Sequence, residues 1–121
     1  EFEGYIDEFE HLISLGYKVI LAHPERYLAF QKDFNKVYEL EEIGVYFQSN
    51  LESILGSYGK GAKRMIKRLL KEKKISFLAS DIHHEKRDYG KFMMARKKME
   101  KYLSSSEFDG LVCENPKKIL D

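Results

Sequence analysis

Residues 18–27 read KVILAHPERY. Val19, Ile20 and Leu21 form a continuous rather than alternating apolar run, the pattern of a strand buried on both faces. Lys18–Ala22 is therefore predicted to be a short strand of a parallel sheet covered by helices. Packing alone gives no reason to end such a strand in a His, a Pro, an acid and an Arg. In parallel α/β folds, ligands gather at the carboxyl ends of the strands, which is where His23, Pro24, Glu25 and Arg26 would stand.

The flanking sequence repeats the theme. Upstream, Phe2, Ile6, Phe9 and Ile13 recur at helical spacing, and Gly16 is placed to end that helix. Downstream, a helix is expected over about 31–43, with Phe34, Val37 and Tyr38 inward and Gly44 at its end. Val45–Gln48 reads as the next strand, followed by a glycine-punctuated link, LESILGSYGKG, over residues 51–61. From about residue 62, Ala62, Met65, Ile66, Leu69 and Leu70 give the clearest amphipathic helix of the chain. Ile75–Ala79 is a third strand. It runs into Ser80-Asp81-Ile82-His83-His84-Glu85-Lys86-Arg87, so it too ends in polar chemistry. A further helix places Phe92, Ala95, Met99 and Leu103 on one face, and Glu114-Asn115-Pro116 reads as a cap and first turn of a short terminal helix. No linker or repeat interrupts residues 1–121, which are expected to form one α/β domain of parallel β/α units joined by right-handed crossovers.

Composition narrows the functional classes. Apolar residues make up 43% of the 121 and charged residues 34%, an ordinary globular balance. Twenty-one basic residues face twenty acidic ones, so net charge does not draw the chain to nucleic acid or anionic lipid. No apolar stretch approaches the ~20 residues of a membrane helix, and no secretory signal is visible. Cys113 is the sole cysteine, so an intramolecular disulfide is impossible and a reducing, cytoplasmic setting is expected. The chain opens Glu1-Phe2-Glu3 rather than on a Met, and is expected to be a processed or excised piece.

Asp81 and His83 are two residues apart, so in extended backbone both side chains leave the same face and make a metal corner. His23, from the end of a neighbouring strand, offers a further nitrogen. Mixed N/O ligation without thiolate suits Mn, Fe or Zn, and spacing does not choose among them. A bland alternative is a helix-capping Asp81 and a satisfied core His23. Arg26, three residues past His23, can fork onto a tetrahedral anion; the competing reading is a surface ion pair with Glu25 or Glu41. Arg87 is balanced between a second fork and a solvated loop charge. Metal ligands with arginines suggest phosphoester hydrolysis. Cysteine-based phosphatase chemistry is excluded, because an Arg is required six residues after the Cys and position 119 is Ile. GSYGKGAK lacks the Lys-Ser/Thr of a phosphate-binding Walker loop. His84 adjoins His83 and is expected to point outward, and His11 to be solvated. The basic run over residues 60–74 is read first as a solvated helix face, and second as a protein- or nucleic-acid-binding patch.

ILAHPERY, VYFQSNLESILGSYGKGAKR, FLASDIHHEKR and ENPKKIL follow one another in the order seen in a known family. The chain resembles the bacterial capsular-polysaccharide tyrosine phosphatases of the polymerase-and-histidinol-phosphatase (PHP) superfamily. The resemblance implies a distorted PHP-type β/α barrel with Mn at the strand ends, and hydrolysis of phosphotyrosine on a bacterial tyrosine kinase that regulates capsular or exopolysaccharide synthesis. It implies metal ligation by His23, Asp81 and His83 and phosphate binding by Arg26. The family's second arginine falls seven residues after the motif's Asp, where this chain has Asp88, with Arg87 one residue early. The H-x-H strand and further His and Glu ligands that open the family's sequences do not precede ILAHPERY here. The resemblance thus implies a partial domain, the C-terminal portion. Alone it is expected to bind one ion weakly or none, to be weakly active or inactive, and to present an open sheet edge for self-association. Alternatives are another PHP phosphoesterase, of the histidinol-phosphate or nucleotide-end type, and a non-catalytic module that uses the 60–74 helix.

Overall fold

The computed structural model describes the backbone of residues 2–80 and 86–114 and the side chains of residues 4–80 and 90–112. Asp81, His83, His84 and the terminal Asn115–Leu120 segment lie outside the described residues, as do the side chains of Arg87 and Cys113.

The expected alternation is present. Helix α1 (Phe2–Ser14) leads into β1 (Ile20–Ala22), and α2 (Leu28–Lys32) and α3 (Asn35–Glu42) lead to β2 (Tyr46–Asn50). Helix α4 (Lys60–Lys71) precedes β3 (Phe77–Ala79), and α5 (Lys86–Met99) and α6 (Ser105–Asp109) complete the described chain with a closing π-turn over Gly110–Glu114. The three strands form a parallel sheet in the order β1-β2-β3, with Ala22 opposite Gln48 and Gln48 opposite Phe77.

The core lies where the apolar patterns put it. All five stripe residues of α4 are buried, with Ile66 and Leu69 fully so. Met65, Ile66, Leu69 and Leu70 pack with Phe47 of β2, Leu78 of β3, and Ala95, Met99 and Leu103 from α5 and beyond. Gly16 ends α1 with φ +95°, a left-handed conformation that glycine adopts without strain.

Three departures have local causes. The single helix expected over about 31–43 is two helices, because Asp33 adopts an extended backbone (φ −145°) and its Oδ1 accepts the Asn35 N–H at 3.1 Å. An Asp side chain that takes a nearby backbone donor competes with the helix ladder, and the break buries Phe30 and Phe34 together. The glycine-punctuated link is no open loop: Leu51–Leu55 coils into a 3-10 turn whose first four residues are buried. Lastly, β1 is half-buried along its length rather than enclosed on both faces, since among the described residues it pairs only with β2.

Candidate functional site

All three strands end in polar groups, and the described part of that rim is laced together by carboxylates. At the end of β1 the backbone turns sharply. The His23 N–H donates to the Gln48 carbonyl at 2.7 Å, extending the β1–β2 ladder by one residue. His23 itself then takes a left-handed conformation (φ 57°, ψ 48°), which is uncommon for a residue with a Cβ and costs free energy. Pro24 follows as the first residue of a 3-10 turn over Pro24–Arg26, closed by the Arg26 N–H donating to the His23 carbonyl at 3.0 Å.

Glu25 explains how this turn is held. Its side chain is 0% exposed. Oε2 accepts the backbone N–H of Asn50 at 3.0 Å and the Ser53 hydroxyl at 2.6 Å. Its own carbonyl accepts Nε2 of Gln31 at 2.8 Å. One carboxylate therefore ties the β1 rim to the β2 rim. A second does the same across the next gap: Glu52, 2% exposed, accepts the Ser80 hydroxyl on Oε1 at 2.6 Å. Ser80 directly follows β3, so this bond ties the β2 rim to the β3 rim. Buried polar groups are tolerated when hydrogen-bonded, and both carboxylates are.

The remaining buried polar atoms show what the rim offers a ligand. The His23 Nδ1 is buried and has no hydrogen-bond partner among the described residues; the same holds for the Glu25 Oε1 and the Ser49 Oγ. A buried imidazole nitrogen with no partner among the described residues is chemically suited to a metal ion. No group of three or more His, Cys, Asp or Glu side chains that could hold a metal is assembled among the described residues. Of the ligands expected from sequence, His23 alone lies among them.

The strand order corrects one expectation. His23 does not come from the strand beside β3, because β2 lies between β1 and β3. With adjacent strands about 4.8 Å apart, the ends of β1 and β3 stand roughly two strand spacings apart, across the end of β2.

Arg26 stacks its guanidinium on the ring of Tyr58, 3.4 Å from the ring centroid, an arrangement that suits a planar cation. The two acids considered as its surface partners are engaged elsewhere: Glu41 pairs with Lys74 at 2.7 Å, and Glu25 is buried as described. Tyr58 is carried on a turn bounded by Gly56 (φ +87°) and Gly59 (φ +101°). Helices α4 and α2 pack against the Pro24–Arg26 turn. His11 is exposed, as expected.

Comparison with known proteins decides the family. The family model described as capsular polysaccharide synthesis, CpsB/CapC, matches residues 1–121. The chain belongs to the CpsB/CapC family. Within it, the chain is similar to tyrosine-protein phosphatase YwqE of Bacillus subtilis, at 36% identity over 78 residues that are 64% of this chain and 31% of that protein. It is also similar to tyrosine-protein phosphatase CpsB of Streptococcus agalactiae, at 34% identity over 79 residues, 61% of this chain and 32% of that one. The chain thus spans about a third of the length of these relatives. Among solved structures it resembles a chain from the crystal structures of YwqE from Bacillus subtilis and CpsB from Streptococcus pneumoniae, described as metal-dependent tyrosine phosphatases. There the TM-score is 0.74 at 28% identity, over 96% of this chain and 47% of the other.

The sequence reading missed the lacing residues Glu25, Asn50, Glu52, Ser53 and Ser80. A signal for them existed. Ser49-Asn50 and Glu52-Ser53 interrupt the apolar residues Phe47, Leu51 and Ile54 at and just beyond the end of β2, the same apolar-to-polar switch that marked the other two strand ends.

Proposed function

We propose that the protein carrying this chain is a metal-dependent protein-tyrosine phosphatase, and that residues 1–121 form a single partial domain, the C-terminal portion of a distorted PHP-type β/α barrel. The observation that carries the reading is the buried His23 Nδ1, without a hydrogen-bond partner among the described residues, at the carboxyl end of a parallel strand and one tight turn away from the Arg26 guanidinium. Parallel β/α units that match about half of a longer metal-dependent phosphatase support the barrel.

In this reading His23, Asp81 and His83 hold the metal. Imidazole and carboxylate donors suit Mn²⁺, with Fe and Zn as alternatives. When bound, the metal acidifies water and stabilises charge on the phosphoryl oxygens. Arg26 receives two phosphoryl oxygens on its planar fork and Tyr58 backs the guanidinium, so the fork is oriented before substrate arrives. Arg87 would add a second fork from the segment after β3. Glu25 and Glu52 hold the three rims in register. The substrate is a phosphotyrosine protein, a bacterial tyrosine kinase of capsule or exopolysaccharide synthesis, met in the cytoplasm. No helix among the described residues is long and apolar enough to cross a membrane.

The test uses the full-length protein. His23→Ala, Asp81→Ala and His83→Ala should each lower bound metal by elemental analysis and abolish turnover of p-nitrophenyl phosphate. Arg26→Ala should keep its metal and lose activity. Unchanged metal content in all three ligand variants would reject the ligand assignment, and full activity in Arg26→Ala would reject the phosphate fork.

A further inference from the structure

Beside the Arg26 turn lies a groove that the proposed chemistry does not use. It has a volume of about 440 Å³ and runs between α2 and α4, with Leu28, Lys32 and Phe34 on one wall and Gly61, Arg64 and Arg68 on the other. Three cations line it and no acid does. Arg68 is occupied: it pairs with Glu72 at 2.8 Å and lies 3.9 Å from the Phe34 ring centroid. Lys32 and Arg64 are exposed and form no ion pair among the described residues. Three other surface bases are matched, Lys36 by Asp33, Lys73 by Glu107 and Lys74 by Glu41.

Charge in this region continues along α4. Lys60, Arg64, Lys67 and Lys71 follow i, i+4, i+7, i+11 spacing, one straight stripe opposite the buried one. Its first turn contains no acid, although acids are favoured near a helix N-terminus and cations are not. The groove also opens toward the site. Leu28 and Phe30 line both it and a second groove, of about 590 Å³, that Arg26 itself lines. Leu28 is 67% exposed at the junction, an apolar side chain facing solvent between two cavities.

We infer that the α2–α4 groove docks acidic residues flanking the phosphotyrosine of a polypeptide substrate. This deepens the phosphatase reading and rests on it for the position of the phosphotyrosine. With the phosphate on Arg26, a chain leaving along the shared wall passes Leu28 and brings its neighbouring side chains against Lys32 and Arg64. Acidic side chains complement the two unpaired cations, and the α4 stripe extends that complement to more distant acids. The surface would act on recruitment and sequence preference, not on the chemical step.

Binding to the full-length protein tests this, read by fluorescence anisotropy. The probe is a labelled peptide with glutamates on both sides of a non-hydrolysable phosphonate analogue of phosphotyrosine; its control has glutamines instead. The acidic peptide should bind about tenfold tighter at about 50 mM salt, and the gap should narrow as salt rises. Tenfold corresponds to about 1.4 kcal/mol, within reach of two exposed ion pairs. Lys32→Glu with Arg64→Glu should erase the preference and leave kcat/KM for p-nitrophenyl phosphate unchanged. The milder Lys32→Gln with Arg64→Gln should remove most of it, and circular dichroism checks that both variants fold. Equal affinity for the two peptides, or a charge-reversed variant that keeps the preference, overturns the docking site. Duplex DNA competing as well as the acidic peptide overturns it in favour of an unselective polyanion surface. Failure of the phosphatase reading shows separately, as absent p-nitrophenyl phosphate turnover by the metal-loaded wild type. The groove is then still read by unphosphorylated acidic and glutamine peptides.

Discussion

Replacing Glu25 should cost more stability than any surface change in the molecule, and its size can be worked from the rim. The Glu25 side chain is wholly buried and Oε2 receives two donors, the Asn50 N–H and the Ser53 hydroxyl. Glu25→Ala leaves both donors buried without a partner. Each such loss costs about 1–3 kcal/mol, and the vacated side-chain volume adds a cavity penalty. The expected total is about 3–5 kcal/mol, a large fraction of a typical domain's stability. Glu25→Gln keeps the shape and one oxygen, which can still face both donors. Its cost should be about 1 kcal/mol, from an amide NH₂ placed where the unpartnered Oε1 now lies. Ser53→Ala should cost about 1 kcal/mol in the wild type, yet be stabilising in Glu25→Ala, where it removes a hydroxyl already stranded. Equilibrium urea unfolding of the four proteins gives the full double-mutant cycle. Two outcomes would refute the carboxylate as the tie between the β1 and β2 rims. One is a Glu25→Ala within about 0.5 kcal/mol of wild type, the scatter of ordinary surface changes. The other is a Glu25→Gln as costly as Glu25→Ala.

Two further outcomes follow from other contacts. A Cβ at Gly61 would clash with the Gln31 side-chain amide, so Gly61→Ala must displace Gln31 and break its bond to the Glu25 carbonyl. That loss of about 1 kcal/mol should cancel the similar gain in helix propensity, leaving Gly61→Ala near neutral in urea unfolding but stabilising by about 1 kcal/mol in a Gln31→Ala background; equal effects in both backgrounds would reject the clash. The Glu72 carboxyl is held below its usual range, first by the donated Tyr38 hydroxyl and then by Arg68. A depressed folded-state pKa contributes stability above the unfolded value of about 4.3 that is lost as pH falls through the folded value. Tyr38→Phe should therefore unfold more easily than wild type at neutral pH, with the two curves converging below pH ~4; a gap that persists in acid would show that the hydroxyl acts otherwise.

Much of this protein is legible in single residues. The stripe Ala62, Met65, Ile66, Leu69, Leu70 specifies α4 because helical periodicity and burial are local properties of the chain. The alternation of apolar runs with helical patterns specifies a parallel α/β arrangement, and the abrupt switch from Leu21-Ala22 to His23 marks the rim of a site. Where a competing local bond decides, the letters mislead: Asp33 breaks a helix that the apolar pattern would carry through, because its side chain takes the Asn35 N–H.

What only the tertiary structure decides is which polar residues meet. Glu25 lies 25 positions before Asn50 and 28 before Ser53, and Glu52 lies 28 before Ser80. No periodicity within one element connects them. The order β1-β2-β3 also puts β2 between the strand that ends at His23 and β3, which strand-by-strand reading does not reveal. Sequence determines which groups stand at strand ends, because side-chain spacing is set by backbone geometry. The fold determines which of them share a proton or face each other across the rim, because parallel crossovers bring together residues that the chain keeps far apart.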